Sequence, residues 1–468
     1  MRYSGSQSSP IVGWIGWGIL LALAAGVFVV GILLGSIWQR RQEAVPPKPL
    51  QAIDYWETDS ARWAVNFPRQ YERYRRMLDA STHTKYGGSY PRDYLEESPI
   101  NVILFAGMGF AKDYRQARGH IYSVKDLTET LRLTPKSSAA CWVCKTPDCL
   151  PVMEKLGLEQ FYAQPFSAFR EQMTHPIGCR DCHDPQTMRL VITRPALREA
   201  LERQGRNLDE ISHQEMRTLV CAQCHVEYYF RGEGNYLTFP WDKGTSLEAV
   251  EAYYEELGFA DWTHAISKTP MVKIQHPEYE LYLTGIHAYR NVACADCHMP
   301  YISEGGVKYT DHHIQSPLLN VANSCAVCHR WTEAEIRARA ESIQDKVHET
   351  RRRAEQAIAL AHLDVAAAMQ AGASDTDLKP IRQLIRQAGL RWDFVAAQNG
   401  MGFHSPAECL RLLAAAVDLA GQARQEAVRV LATRGVSRPI TYPDFSTKAK
   451  AQALVQQFVD GQPPRLLP

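Results

Sequence analysis

Ten of the twelve cysteines in this 468-residue chain stand in five pairs with two residues between them. In four of the pairs the next residue is histidine: Cys179-Arg180-Asp181-Cys182-His183, Cys221-Ala222-Gln223-Cys224-His225, Cys294-Ala295-Asp296-Cys297-His298 and Cys325-Ala326-Val327-Cys328-His329. From the chain's own Cys and His frequencies, chance would produce on the order of 0.01 such segments. The spacing suits covalent c-type haem. Two thiols three residues apart add across the two vinyl groups on one edge of a porphyrin, and the adjoining imidazole then lies beneath the ring as an axial ligand to iron. Zinc sites would pair Cys and His at finger-like intervals, whereas most of these motifs stand far apart in the chain. An even cysteine count suggests disulfides, but bridges between residues three apart would be redox-active.

The fifth pair, Cys141-Trp142-Val143-Cys144-Lys145, ends in lysine. Alone it reads as a redox or zinc pair. Beside four haem motifs it reads as a fifth haem attachment, with Lys145 ligating iron as a neutral amine. Such an iron needs no second protein ligand and keeps a face open to substrate, whereas two-histidine haems are saturated and carry electrons. Cys149 and Cys409 are left over as free thiols.

The net charge of +1 argues against a nucleic-acid binder, and 21 Tyr with 10 Trp exclude low-complexity disorder. Residues 1–10 form a short tail. Residues 11–38 carry no charge and exceed the about 20 needed to cross a bilayer, so they read as a transmembrane signal anchor. Arg40 and Arg41 follow the span and only Arg2 precedes it, which by the positive-inside rule weakly favours a cytoplasmic bulk. The haem chemistry outweighs this and places the bulk on the extracytoplasmic face.

Residues 39–50, rich in proline, read as a linker and 51–332 as the haem-binding catalytic region. Residues 333–435 read as long helices, with apolar positions Ile336, Ala340, Ile343, Val347, Ala354, Ile358, Ala361 and Val365 at helical spacing. Gly372 and Ser374 break the run. Further helices are predicted at about 375–397 and 405–433, the latter with Ser405 as N-cap and Pro406 at the first helical position. Residues 436–468 are predicted to be an irregular tail. Strand signals are few, so the expected class is mainly α: a multihaem cytochrome c fold packed around five covalent haems, with long C-terminal helices and an N-terminal transmembrane helix.

One CxxCK followed by four CxxCH motifs resembles the pentahaem, ammonia-forming cytochrome c nitrite reductases, over roughly residues 50–430. The resemblance implies a substrate pocket at the Lys145 haem made of Arg132 (in Glu129-Thr130-Leu131-Arg132), Tyr228 (in the run from Cys221 to Tyr229) and His276 (in Lys273-Ile274-Gln275-His276). A guanidinium would hold the nitrite anion, while imidazole and phenol donate hydrogen bonds and protons to the departing oxygens. It also implies a calcium ion held by the Glu227 side chain, the Tyr228 and Lys273 carbonyls and the Gln275 side chain. Distal ligands would be His120 for the Cys221 haem, His313 for the Cys179 haem, His287 for the Cys325 haem and His404 for the Cys294 haem, with His312 able to exchange roles with His313. The segment between Arg132 and Cys141 is shorter than the family's usual loop. By the same resemblance the chain is a periplasmic homodimer joined through its long helices and fed by a quinol-oxidising membrane cytochrome. Two other functions fit parts of the pattern: a non-catalytic membrane-anchored electron carrier, which would have no use for Lys145, and a multihaem enzyme converting hydroxylamine, which typically carries more haem motifs.

Overall fold

A computed structural model describes residues 10–43 and 49–467. The chain divides into two units, Met1–Leu50 and Gln51–Pro468.

The first unit contains one helix, α1 (Pro10–Glu43). Its span Trp14–Arg41 is long and apolar enough to cross a membrane, with mean hydropathy 2.6 and no buried position. Arg40 and Arg41 close it, where cations meet the negative end of the helix dipole. The helix outruns the expected span: Gln39–Glu43, predicted as linker, continues it, because nothing in Gln-Arg-Arg-Gln-Glu breaks a helix. The rest of that expected linker lies partly outside the described residues.

The second unit is mainly helical, with only three short antiparallel strand pairs: Tyr229–Arg231 with Tyr236–Thr238, Trp262–Thr263 with Pro270–Met271, and Tyr301–Glu304 with Val307–Thr310. Its C-terminal half is a bundle of α2 (Glu333–Gln370), α3 (Asp375–Ala396) and α4 (Pro406–Thr433). Thr332 and Glu335 form a reciprocal capping box that starts α2, and Ser374 with Asp377 does the same for α3. Ala416, Ala420, Ala423 and Ala427 are fully buried along α4, and their small size lets it lie close against α2 and α3. Ile343 is only half-buried. Gln344 takes the buried place instead, its Nε2 donating to Gly400 O at 3.1 Å. Ser405 does not cap α4 with its side chain, which accepts a bond from Thr284 Oγ1 at 2.8 Å. Pro406, with φ preset for helix, starts α4.

The tail is not irregular throughout. Lys448–Val459 forms α5, capped by Thr447 Oγ1 accepting from Lys450 N. It buries Ala451, Leu454, Val455 and Phe458, an i, i+3, i+4, i+7 stripe that outweighs the proline-rich flanks. Lys448 Nζ reaches Asp93 at 2.6 Å and Gln452 Nε2 donates to Ala111 O at 3.0 Å, so α5 holds the early segment that leads into the site.

Between α2 and the loop at 264–269, two fully buried imidazoles stack face to face, His264 on His362, with centroids 3.5 Å apart. Ser267 Oγ bridges to His362 Nδ1 at 2.7 Å and His264 Nε2 bonds Ile103 O at 2.9 Å. Burial pulls His264 down to about 3 and His362 well below 6.5, with Lys268 and the stacked partner acting in the same direction. The unfolded chain takes up these protons near 6.5, so the stabilisation is complete above that pH and drains as pH falls towards 3, by about 1.4 kcal/mol per pH unit per imidazole. Thermal unfolding between pH 7 and 4 should show this fall, and a His362→Phe variant should flatten it. An unchanged slope in the variant would remove the pair as its cause.

Candidate functional site

The CxxC segments fold as single helical turns. His183 N bonds Cys179 O at 3.0 Å, His225 N bonds Cys221 O at 3.0 Å and His329 N bonds Cys325 O at 2.9 Å, while Cys294–His298 is helical throughout. In two motifs the internal aspartate folds back to cap its own turn: Asp181 Oδ2 accepts Gly178 N at 2.6 Å and Asp296 Oδ2 accepts Ala293 N at 2.7 Å. A Cβ on Gly178 would fall 2.0 Å from Ser60 Oγ, which itself receives Cys179 N, so glycine is required there. None of the twelve cysteines pairs in a disulfide among the described residues. Nine of the ten in motifs are half-buried and Cys328 is exposed, whereas Cys149 and Cys409 are buried.

The motifs are neighbours in space. Cys144 lies within hydrogen-bonding reach of Cys224, and Cys221 of Cys294. Cys297 interacts with Cys325, and Cys182 with Cys224. Four attachment points thus follow one another, from the Cys141 motif through those of Cys221 and Cys294 to that of Cys325, and the Cys179 motif branches from the Cys221 motif.

Imidazoles face one another in four pairs. Ring centroids stand 6.4 Å apart for His120 and His225, 6.3 Å for His298 and His404, 6.4 Å for His287 and His329, and 6.3 Å for His183 and His312. One metal ion between two imidazole nitrogens, each at about 2 Å, separates ring centroids by roughly 6 Å. Such a gap fits a single iron and nothing larger. Backbone carbonyls fix several of the rings: His183 Nδ1 bonds Met188 O at 2.9 Å, His298 Nδ1 bonds Gln315 O at 2.9 Å and His312 Nδ1 bonds Thr310 O at 2.8 Å. That leaves Nε2 as the lone-pair nitrogen, the usual orientation device for metal-ligating histidine. His225 has a second ring at 6.4 Å, His276, but Glu278, two residues on from His276, lies on the Nδ1 side of His225 at 3.9 Å. Nε2 is left for His120.

His313, the expected partner of the Cys179 motif, does not face His183; His312 does. Asp311 explains the exchange. It is fully buried, gripped by Arg73 Nε at 2.8 Å, and accepts His313 N at 2.9 Å, which turns the His313 ring towards Arg73, Arg76 and Asp79.

Around Lys145 the structure gathers the remaining expected residues. Ser123 Oγ donates to the Lys145 carbonyl at 2.6 Å. Tyr228 interacts with Cys144, Cys141 and Arg132; Arg132 interacts with Tyr228 and Cys141; His276 interacts with Lys145. All four are half-buried. Burial pushes the Tyr228 phenol well above 10, so it stays a proton donor, and pulls His276 down to about 3 against the pull of Glu278. His276 Nδ1 has no hydrogen-bond partner among the described residues. Burial also lowers Arg132, against the opposing pull of Tyr114 and Asp113.

Glu227, beside Tyr228, is fully buried. Tyr254 OH donates to its Oε1 at 2.7 Å and Gln275 N to its Oε2 at 2.6 Å, and no basic side chain pairs with it among the described residues. Burial pushes it well above its ordinary range. A buried carboxylate without a cation, beside the Lys273 carbonyl and the Gln275 amide (Nε2 to Lys273 O, 3.1 Å), is a donor set of hard oxygens that fits a calcium ion. The Lys273 ammonium is turned away, held by Asp393 at 2.9 Å. Sequence reasoning missed Glu280, whose Oε1 accepts both Glu227 N (2.9 Å) and Trp241 Nε1 (2.8 Å), and Glu278, which receives Asn399 Nδ2 at 2.6 Å. Two acids within the short apolar helix Glu278–Leu283 were the available signal.

Residues 59–462 match the family model for cytochrome c552. The chain is 46% identical over 451 residues to a cytochrome c-552 of Bacteroides fragilis, covering 94% of this chain and 92% of that protein. It is 44% identical over 466 residues to a cytochrome c-552 of Porphyromonas gingivalis, covering 97% and 94%. Among solved structures it resembles the catalytic subunit of the cytochrome c nitrite reductase from Desulfovibrio desulfuricans, described with two calcium sites, at TM-score 0.77 and 32% identity over 81% of this chain and 88% of that one.

Proposed function

The chain belongs to the cytochrome c552 family, of the cytochrome c nitrite reductase type, and from that membership we propose that it reduces nitrite to ammonium at a haem attached through Cys141 and Cys144 and ligated by Lys145. The observation that carries the reading is the contrast between four imidazole pairs spaced for one iron each and a fifth attachment whose surroundings are Arg132, Tyr228 and His276. A pure electron carrier has no use for such a pocket. Haem, when bound there, supplies an iron with an open position and the route for electrons.

The chain's own groups do the rest. The overall change takes six electrons and eight protons per nitrite and releases ammonium and two waters, so the pocket must hold an anion and deliver protons repeatedly. Arg132 holds the anion, because among the described residues its terminal nitrogens have no protein acceptor. Tyr228 and His276 stand where protons reach the departing oxygens. We assign His183 with His312, His225 with His120, His298 with His404 and His329 with His287 as iron-ligand pairs. Electrons would pass along the row of motifs to the Lys145 haem. The same reading places the haem unit on the extracytoplasmic face of a membrane entered by α1, takes a quinol-oxidising cytochrome as donor, and takes a second copy as partner.

Purified haem-loaded protein supplied with reduced viologen and nitrite should accumulate ammonium. A fully loaded preparation that yields none would overturn the reading. The calcium assignment has its own check. Protein stripped with a chelator should gain thermal stability on calcium titration, by about 2.7 kcal/mol at a hundredfold excess over Kd. Glu227→Gln, which removes the only acidic ligand, should abolish that gain; a variant that still responds fully would place the ion elsewhere.

A further inference from the structure

The guanidinium of Arg132 is held by a ring. Its carbon lies 4.2 Å from the Phe110 centroid, and its one side-chain hydrogen bond runs from Nε to Thr130 Oγ1 at 3.2 Å. No carboxylate pairs with it among the described residues. Asp113, the acid whose charge acts on it, is occupied: it accepts Thr130 Oγ1 at 2.8 Å and Leu131 N at 2.9 Å, and pairs with Arg115 at 2.8 Å. Phe110 is itself wedged, edge-on to Tyr114 at 5.0 Å and tilted against Phe105 at 5.5 Å. Gly109 brings the ring this close, since a Cβ there would lie 3.2 Å from Arg132 O and 3.3 Å from Arg132 Cβ. The second cation near the ring, Lys273 at 4.9 Å, is already neutralised by Asp393.

A buried arginine can be fixed by a carboxylate or by an aromatic face. A carboxylate would neutralise the charge and compete with any anion entering the pocket. A ring attracts the cation through its quadrupole without occupying a single N–H. We propose that Phe110 is a positioning residue for Arg132 that keeps its charge unspent and so sets the preference of the pocket for anionic over neutral nitrogen substrates. The inference rests on the nitrite reductase reading.

The charge of the substrate provides the test. Nitrite is an anion and hydroxylamine is uncharged at neutral pH. Phe110→Leu keeps the apolar volume and removes the π face. In protein carrying its full haem complement it should raise KM for nitrite roughly tenfold, the size of a desolvated cation–π contact. The kcat should stay within about threefold, and KM for hydroxylamine should not move. Phe110→Tyr, which restores the face, should return nitrite KM to within about twofold of the unaltered protein. Phe110→Met carries the same comparison should Phe110→Leu fail to take up its haems. An unchanged nitrite KM, or equal changes for both substrates, overturns the proposal. Unaltered protein that reduces hydroxylamine but not nitrite overturns the functional reading instead, and the two failures are distinguished by which protein shows them.

Discussion

Replacing Arg132 with methionine should lower kcat/KM for nitrite by about two to three orders of magnitude, the loss seen when a preorganised donor to a developing or bound anion is removed. Most of it should appear in KM, because the guanidinium contacts the anion before and during reduction. Three features set the size. The terminal nitrogens carry no acceptor among the described residues, so two parallel charge-assisted bonds to the substrate are lost at once. The site is half-buried, and the lower local dielectric strengthens each bond relative to water. The neighbouring cations are already engaged: Lys273 is paired with Asp393 and Arg115 with Asp113. Arg132→Lys should recover only part, since an ammonium cannot reproduce the planar fork. Hydroxylamine reduction by the same variant should fall much less. Steady-state kinetics with reduced viologen, on protein with unchanged haem spectra, measure all three. A nitrite kcat/KM within fivefold of the unaltered protein would remove Arg132 from the pocket.

What was legible in the sequence was what depends on near neighbours. The two-residue spacing of the cysteines is itself the geometry of attachment, and α2, α3 and α4 follow from periodicity with Thr332, Ser374 and Pro406 at their starts. The helix α5 was equally legible from Ala451, Leu454, Val455 and Phe458, but the prolines around it drew the reading towards an irregular tail. Choosing between His312 and His313 was not a local question. It turns on Arg73, 238 residues from Asp311, and no spacing reports that pair. The same holds for Phe110 against Arg132 and for Glu280 beneath Glu227, which are too far apart in the chain for any helical or strand period to report the contact.

The largest stability effect should come from Arg194, a residue no motif marks. It is 1% exposed and holds two haem motifs together. Its Nε donates to Val143 O at 2.6 Å and its NH2 to Thr146 O at 3.2 Å, on either side of Cys144-Lys145, while NH2 also grips Asp181 inside the Cys179 motif. Gln223, from the Cys221 motif, completes the joint by donating to Asp181 O at 2.8 Å and accepting Arg194 N at 3.2 Å. Arg194→Met would strand the Asp181 charge and two carbonyls away from water. Breaking one partner of a buried pair costs about 3–5 kcal/mol, which for a chain this long is a fall of about three to five degrees in Tm. Because the lost bonds set the spacing between the Lys145 turn and the Cys179 turn, the variant should also take up fewer haems. Its activity per loaded haem should then stay close to that of the unaltered protein, since Arg194 touches no substrate. Removing the stranded charge as well, in Arg194→Met with Asp181→Leu, should restore part of the Tm, as an apolar replacement of a buried ion pair often does. A single variant that melts within two degrees of the unaltered protein would show that haem attachment alone holds the two turns together.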